Sequence, residues 1–180
     1  MTPGHRTLVQ LLARWLLRGA MAALLLAGVG GCEPKPPEPM VVGIAGYNFT
    51  NEGVQEYYVN GKRGSNIPPY GGGGSLSCCV SLPAEWSPGL TVEVSRITGH
   101  WTVPIETIQE MNIKEAIKCC LDRRSLTKTV PIERYGKEGG DVQVFFLPND
   151  ELQVWVYDAG PQNPSHPSQR GYPEKPVPKS

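Results

Sequence analysis

Apolar and polar residues alternate in several short segments of the central chain, a pattern typical of half-buried β-strands. The segment 90–97 alternates most strictly, with Leu90, Val92, Val94 and, by the same alternation, Arg96 on one face. Asn60-Gly61 favours a tight hairpin turn because both residues tolerate positive φ angles. The predicted strands are 41–49, 54–59, 76–82, 90–97, 142–147 and 152–157, the last two flanking Pro148-Asn149-Asp150. Strands joined by short turns predict a mainly β domain, an antiparallel β-sandwich or open barrel.

One segment has a helical period instead. Asn112 is a favourable N-cap residue, and Glu115 follows three positions later, as in a capping box. Arg123 and Arg124 suit the negative C-terminal end of a helix dipole. Apolar residues recur at helical spacing at Ile113, Ala116, Ile117, Cys120 and Leu121. We therefore predict one α-helix inserted among the strands, whereas the segment 104–111 fits either a helical turn or a short strand.

Both ends of the chain differ in composition from its middle. An apolar stretch at 20–29 follows a basic segment, as in a signal peptide, and is shorter than the ~20 residues of a membrane-spanning helix. Residues 33–40 include four prolines, and the last 20 residues include six. Such segments have no apolar face to bury. The predicted organisation is a signal peptide at 1–31, a proline-rich tether at 32–40, a β-rich domain at 41–160 and a disordered tail at 161–180.

The signal ends in Val29-Gly30-Gly31-Cys32, which resembles a bacterial lipobox. The resemblance implies cleavage before Cys32 and its acylation, and the alternative is an N-terminal anchor helix with an incidental cysteine. Glu33 follows the cysteine where an inner-membrane retention signal has Asp, so the resemblance favours the outer membrane. We expect a lipoprotein on the periplasmic side of the cell envelope, held by more acyl chains than the single one that binds only marginally.

The charge of the central segment disfavours a nucleic-acid partner. The whole chain has 17 basic and 17 acidic residues, but residues 40–160 have 10 Lys and Arg against 14 Asp and Glu, a net charge of −4. A nucleic-acid-binding domain needs a basic face to neutralise phosphates. We therefore expect no nucleic-acid partner.

Four cysteines besides Cys32 form two adjacent pairs, Cys78-Cys79 and Cys119-Cys120. Thiols of an exported protein meet an oxidising compartment and tend to form disulfides. We expect at least one disulfide between the two pairs, and the sequence leaves open which cysteines it joins. Zinc and redox sites usually have two residues between their cysteines, so adjacent cysteines favour neither. We predict no metal and no cofactor.

Catalytic motifs are weak in this sequence. The run Gly71–Gly74 leads into a predicted strand without the lysine and helix of a phosphate-binding loop. Gly73-Gly74-Ser75-Leu76-Ser77 departs from the G-x-S-x-G motif of hydrolases. His100 is the only histidine between residues 40 and 160, and no nucleophile is paired with it in the sequence. We therefore expect that the protein is not an enzyme.

Four motifs occur in order along the domain: Gly46-Tyr47-Asn48, Pro68-Pro69-Tyr70-Gly71-Gly72-Gly73-Gly74-Ser75, Cys78-Cys79-Val80-Ser81-Leu82-Pro83 and Trp86-Ser87-Pro88-Gly89-Leu90. Together they resemble a proteobacterial lipoprotein family of unknown-function domains. The similarity covers about 41–97 and 129–157, and the segment 104–126 departs from shorter members. Some members resemble immunity proteins of type VI secretion lipase effectors. The resemblance therefore implies a protein partner, a secreted lipase or phospholipase.

An immunity protein would bind this partner through side chains near turns, where aromatic residues often anchor interfaces. The candidate partner-binding residues are Glu52, Glu56, Tyr57, Tyr58, Tyr70 and Trp86. Ordinary structural aromatics are an equally good explanation for each. Five other aromatics are expected in the core: Phe49, Trp101, Phe145, Phe146 and Trp155. The alternative function is a structural or accessory envelope lipoprotein without a toxin partner.

Overall fold

The computed structural model of the protein describes residues 37–73 and 75–177. The expected signal peptide, Cys32 and most of the tether lie outside these residues. The strands are β1 (Met40–Asn48), β2 (Gly53–Val59), β3 (Lys62–Gly64), β4 (Gly71–Gly72), β5 (Ser77–Leu82), β6 (Thr91–Trp101), β7 (Leu121–Pro131), β8 (Asp141–Phe146) and β9 (Leu152–Tyr157). The helices are α1 (Ile105–Glu110) and α2 (Ile113–Cys120), and Pro148–Asp150 forms the tight turn between β8 and β9. In the described part of the chain, no helix is long and apolar enough to cross a membrane.

The strands form two sheets. The first has the order β4-β1-β8-β9, and β5 pairs with the N-terminal half of β1 on the side that β4 also occupies. The second has the order β3-β2-β6-β7. The named strand pairs are antiparallel except for β1 and β8, which run parallel with Ile44 opposite Val142. The prediction of a mainly β fold is confirmed, with two open sheets, one of them mixed, and two helices instead of one.

The main hydrophobic core contains inward-facing side chains of both sheets. On β8, Val142, Val144 and Phe146 are completely buried, and on β2 Tyr57 and Val59 are as well. Burying a side chain of this size contributes about 1.5–3 kcal/mol. The inward-facing side chains of the two sheets therefore pack against each other and hold the sheets together.

The C-terminal segment, residues 158–177, covers the outer face of the first sheet. Phe145 and Leu147 cluster on this face with Ala45 and Tyr47. His166 is completely buried and stacks on Phe145. The prediction of a disordered tail is therefore wrong for residues 161–177, because this segment buries its histidine on an apolar surface that local composition does not reveal.

The six predicted strands correspond to β1, β2, β5, β6, β8 and β9, with ends shifted by a few residues. Asn60 and Gly61 have φ angles of 47° and 74°, as the predicted tight turn requires. The long strand β7 was not predicted as a whole because most of its side chains are exposed and few are apolar. It pairs with β6 along its entire length, from Pro131 opposite Thr91 to Leu121 opposite Trp101.

The predicted helix begins where expected but ends early. The Asn112 side chain accepts a hydrogen bond from the Lys114 N–H at 2.9 Å, which confirms the N-cap. The helix ends at Cys120, so Arg123 and Arg124 lie in β7. Their predicted position at a helix C-terminus is wrong because their backbone pairs with β6 instead.

The expected disulfide between the two cysteine pairs is not formed. Cys78 is bonded to Cys79, and Cys119 is bonded to Cys120. Strand β5 packs on β1 and β3, whereas α2 packs on α1 and β7. The two pairs therefore lie in different parts of the fold, and this long-range arrangement has no signal in the cysteine spacing.

Candidate functional site

A cleft of about 400 Å³ opens at the end of the sandwich where β1 leads into β2. Its volume lies within the ~300–1,000 Å³ of typical ligand sites. Met40, the first residue of β1, lies at the opposite end of that nine-residue strand, about 25–30 Å away at ~3.3 Å per residue. The cleft is lined by Phe49, Thr50, Asn51, Glu52, Tyr70, Arg96, Thr98, Arg124, Leu147, Pro148, Asn149 and Asp150.

Arg96 is the most deeply buried charged side chain in this lining. It projects from β6, on the same face as Val92 and Val94, and only 3% of its side chain is exposed. Its Nη2 donates a hydrogen bond to Oδ1 of Asp150 at 2.5 Å, and its guanidinium lies over the ring of Phe146. Its Nη1 is buried and has no hydrogen-bond partner within the described residues. Burial lowers the pKa of Arg96, and Asp150 opposes that shift.

Asp150 joins the two sheets by binding cations from two adjacent strands. Arg124 of β7 donates from Nη1 to Oδ2 of Asp150, and Lys128 donates from Nζ to its backbone carbonyl at 2.8 Å. The hydrogen bond from Arg124 is the main cause that lowers the pKa of Asp150, while burial acts in the opposite sense. Asn149 and Asp150 have φ angles of 59° and 61°. Asn and Asp take left-handed backbone more readily than other non-glycine residues, as tight hairpin turns require, and the ion pairs of Asp150 attach this turn to the second sheet.

Glu52 lies at the rim of the cleft, beside Arg124. Its Oε2 is 3.5 Å from Nη2 of Arg124, and its Oε1 is 4.0 Å from Nδ1 of His100. The loop that carries Glu52 is held by buried Asn48, whose Nδ2 donates to the Glu52 carbonyl at 2.7 Å and whose Oδ1 accepts from the Thr50 N–H at 3.0 Å. These bonds fix the loop, so one wall of the cleft is already in place without a ligand.

The structure brings two of the six sequence candidates, Glu52 and Tyr70, into this cleft. Glu56 and Tyr58 lie elsewhere on β2 and are joined by a hydrogen bond of 3.0 Å from the tyrosine hydroxyl. Trp86 is partly buried near the other end, where its Nε1 donates to the Ile132 carbonyl at 2.9 Å. These residues therefore do not form one surface.

Tyr57 is the candidate that the structure excludes. It alternates with Val59 on the inward face of β2 and is completely buried. Its ring packs edge-to-face on Phe146, with centroids 5.2 Å apart. A side chain in this position cannot contact a partner of the folded domain. Among the aromatics expected in the core, Phe145 and Phe146 are fully buried, and Phe49, Trp101 and Trp155 are partly buried.

Three residues at the centre of the cleft were not predicted as site residues. The sequence does indicate that Arg96 is unusual, because this arginine occupies a position of the strand where the alternation predicts an inward-facing apolar residue. Arg124 was assigned to a helix end and Asp150 to a turn, and only the packing of β7 against the 148–150 turn brings them together. In the described residues, no group of three or more His, Cys, Asp and Glu side chains is placed to hold a metal ion.

The chain belongs to the family described as protein of unknown function DUF3304, whose model matches residues 47–154. That range includes all the residues that line the cleft, whereas the C-terminal segment after β9 lies outside it. Membership of an unknown-function family, as the sequence motifs indicated, is thereby confirmed. No curated protein and no solved structure matches the chain. The association of such domains with lipase immunity stays a prediction.

Proposed function

We propose that this protein is a lipid-anchored, periplasm-facing immunity protein that binds and occludes a lipase or phospholipase effector of type VI secretion. The observation that carries the proposal is the charged cleft at the end of the sandwich opposite Met40. A chain anchored at Cys32 enters the domain at Met40. The cleft then lies at the end of β1 opposite this entry point, where a protein that arrives in the periplasm would bind.

The residues of the cleft suit the recognition of a protein. Arginine and tyrosine are enriched in interfaces and at their energetic hot spots. Arg124 is half exposed, and Tyr70, in the same cleft, is partly exposed. The Asn48 side chain holds the 49–52 loop in place, which reduces the ordering cost that binding would otherwise carry.

Exposed apolar side chains lie at the same end of the sandwich. Helices α1 and α2 follow the end of β6, and they expose Ile105, Ile113 and Ile117. A stable interface buries about 800 Å² on each partner, usually with an apolar centre and a polar rim. The cleft and the two helices together offer both kinds of surface. Occlusion of the active-site mouth by this end of the domain is the proposed mechanism.

The test is co-expression with an exported type VI lipase effector, for which a lipase gene beside this one, if there is one, is the first choice. Cells should survive lipase export only with this protein present, and the purified pair should form a stable complex with suppressed lipase activity. Arg124→Glu should weaken the complex, while Arg123→Glu on the same exposed strand is the matched control. Equal killing with and without the protein, or no complex, would favour the structural or accessory envelope lipoprotein.

A further inference from the structure

We infer that the cleft is a carboxylate-binding site, which receives an aspartate or glutamate side chain of a partner protein and which Asp150 partly occupies in the free protein. The inference rests on the proposed function in taking the partner to be a periplasmic protein and the chain to be anchored at its Met40 end. It adds the chemistry of recognition, which the family description does not give.

The first observation is that the cleft already binds a carboxylate of the same chain, that of Asp150. The two oxygens of Asp150 accept hydrogen bonds from different guanidinium groups, Oδ1 from Arg96 and Oδ2 from Arg124. Guanidinium groups are the side chains whose planar donors best match a carboxylate. Two guanidinium groups on adjacent strands are therefore positioned to bind one carboxylate.

The second observation is that Asp150 leaves the site incompletely satisfied. Nη1 of Arg96 is buried and unpartnered among the described residues, although the side chain is almost wholly removed from water. A buried donor without an acceptor is unfavourable, and a charged one more so. Arg96 lines the cleft, so a small shift of its guanidinium would let an anionic oxygen that enters there supply the missing acceptor.

The third observation is the balance of charge. The charged residues of the lining are balanced, Arg96 and Arg124 against Glu52 and Asp150, and Lys128, which binds the Asp150 carbonyl beside the cleft, adds one positive charge. One additional carboxylate neutralises the remaining charge. The position of the cleft opposite Met40 favours a carboxylate of a periplasmic protein over a lipid phosphate.

The inference is tested with glutarate, which carries the carboxylate of a glutamate side chain. Binding to the full chain, purified in detergent, is measured by titration calorimetry, with the neutral isostere glutaramide and inorganic phosphate in parallel. We expect glutarate to bind at least tenfold more tightly than glutaramide and more tightly than phosphate. Asp150→Asn should raise the affinity for glutarate several-fold because it removes the internal competitor.

Substitution of Arg96 or Arg124 should have the opposite effect and weaken glutarate binding. Arg96→Lys should weaken glutarate binding at least tenfold, and Arg123→Gln should leave it unchanged. If Arg96→Lys does not fold, as judged by near-ultraviolet circular dichroism, Arg124→Gln on the exposed strand takes its place. Equal affinity for glutarate and glutaramide, or unchanged binding in the arginine variant, would overturn the inference. Tighter binding of phosphate would assign the site to a phosphorylated or lipid ligand instead.

The two proposals fail separately. Glutarate binding that depends on Arg96, without a lipase complex, would retain the carboxylate site and reject the immunity function. A lipase complex that forms equally well with Arg96→Lys would retain the function and reject this site.

Discussion

His166 lies nearly parallel to Phe145, with ring centroids 5.6 Å apart and an interplanar angle of 22°. The Nδ1 atom of His166 accepts a hydrogen bond from the Ser168 N–H at 3.1 Å, so the ring is neutral with its proton on Nε2. That Nε2 is buried and has no partner in the described part of the chain. Burial lowers the pKa of His166. The C-terminal segment is therefore attached to the first sheet through a histidine that must stay uncharged.

Stability should decrease in mild acid because of this histidine. Its pKa is lowered in the folded state, so below its ordinary value of about 6.5 the unfolded chain takes up a proton that the folded chain resists. The contribution is complete above that pH and is lost as pH falls, by at most about 1.4 kcal/mol per pH unit. Urea unfolding of His166→Phe and wild type at pH 5.0 and 7.5 measures this contribution to the free energy of unfolding. A pH dependence identical in the two proteins would contradict the expectation.

The C-terminal segment should stabilise the domain. Tyr172 donates to the Gly72 carbonyl at 2.7 Å and accepts from its N–H at 3.1 Å. Tyr172→Phe should lower the free energy of unfolding by about 0.5–1 kcal/mol, because these hydrogen bonds are partly exposed. A stop codon after Asp158 should lower the free energy of unfolding several times more, since it uncovers Phe145 and Tyr47. Truncation after Glu174 is the control and should change little.

Gly64 should not tolerate a side chain. A Cβ atom at this position would overlap the ring of Tyr57, which is completely buried and packed on Phe146. Gly64→Ala is expected to destabilise the domain by about 1–3 kcal/mol or more, the cost of overpacking a core. A Cβ on Gly136 meets nothing within 4 Å, so Gly136→Ala should leave the melting temperature unchanged or slightly higher. Equal melting temperatures for the two variants would show that the Tyr57 ring can move.

Loss of the Asp150 charge should destabilise the domain more than loss of a rim charge. Asp150→Ala leaves the buried guanidinium of Arg96 without its carboxylate, which should cost about 2–4 kcal/mol, less than a fully buried pair because Asp150 is partly exposed. Glu52→Ala should cost below about 1 kcal/mol, as expected for an exposed pair. Thermal unfolding of both variants at one pH compares them directly. A smaller loss for Asp150→Ala than for Glu52→Ala would contradict the role of Asp150 in joining the sheets.

Each disulfide should lie within its own cysteine pair. Trypsin cleaves after Arg96, between the two pairs, so digestion without reduction should release the pairs on separate peptides. Mass spectrometry should find each peptide two hydrogens lighter than its dithiol form. A single cross-linked peptide containing all four cysteines would show that the pairing is between β5 and α2.

The sequence predicted the strands whose side chains alternate and missed the one whose side chains do not. Strand β7 faces solvent along almost its whole length, so its Arg123 and Arg124 read as a helix end. The helix start was predictable because the Asn112 cap is a local interaction. The parallel pairing of β1 with β8 was not predictable, since it depends on contacts between residues about 100 positions apart.

The site was predictable only in part, for the same reason. Glu52 and Tyr70 were selected as polar or aromatic residues near turns, which is a local criterion. Asp150 and Arg124 become a site only when the 148–150 turn packs against β7. Tyr57 was misassigned because two adjacent tyrosines on a strand face opposite sides, and their types alone do not tell which one faces inward.

The pairing of β1 with β8 has a consequence for how the chain acquires its structure. The first strand of the domain lies between β5 and β8, and β8 begins about 100 residues later, at Asp141. A chain that emerges from a ribosome or a translocation channel with its N-terminus first must keep one edge of β1 unpaired until nearly the whole domain is out. Contacts of such large sequence separation slow folding. The domain should therefore stay unfolded, and open to chaperones and proteases, for longer than its modest size suggests.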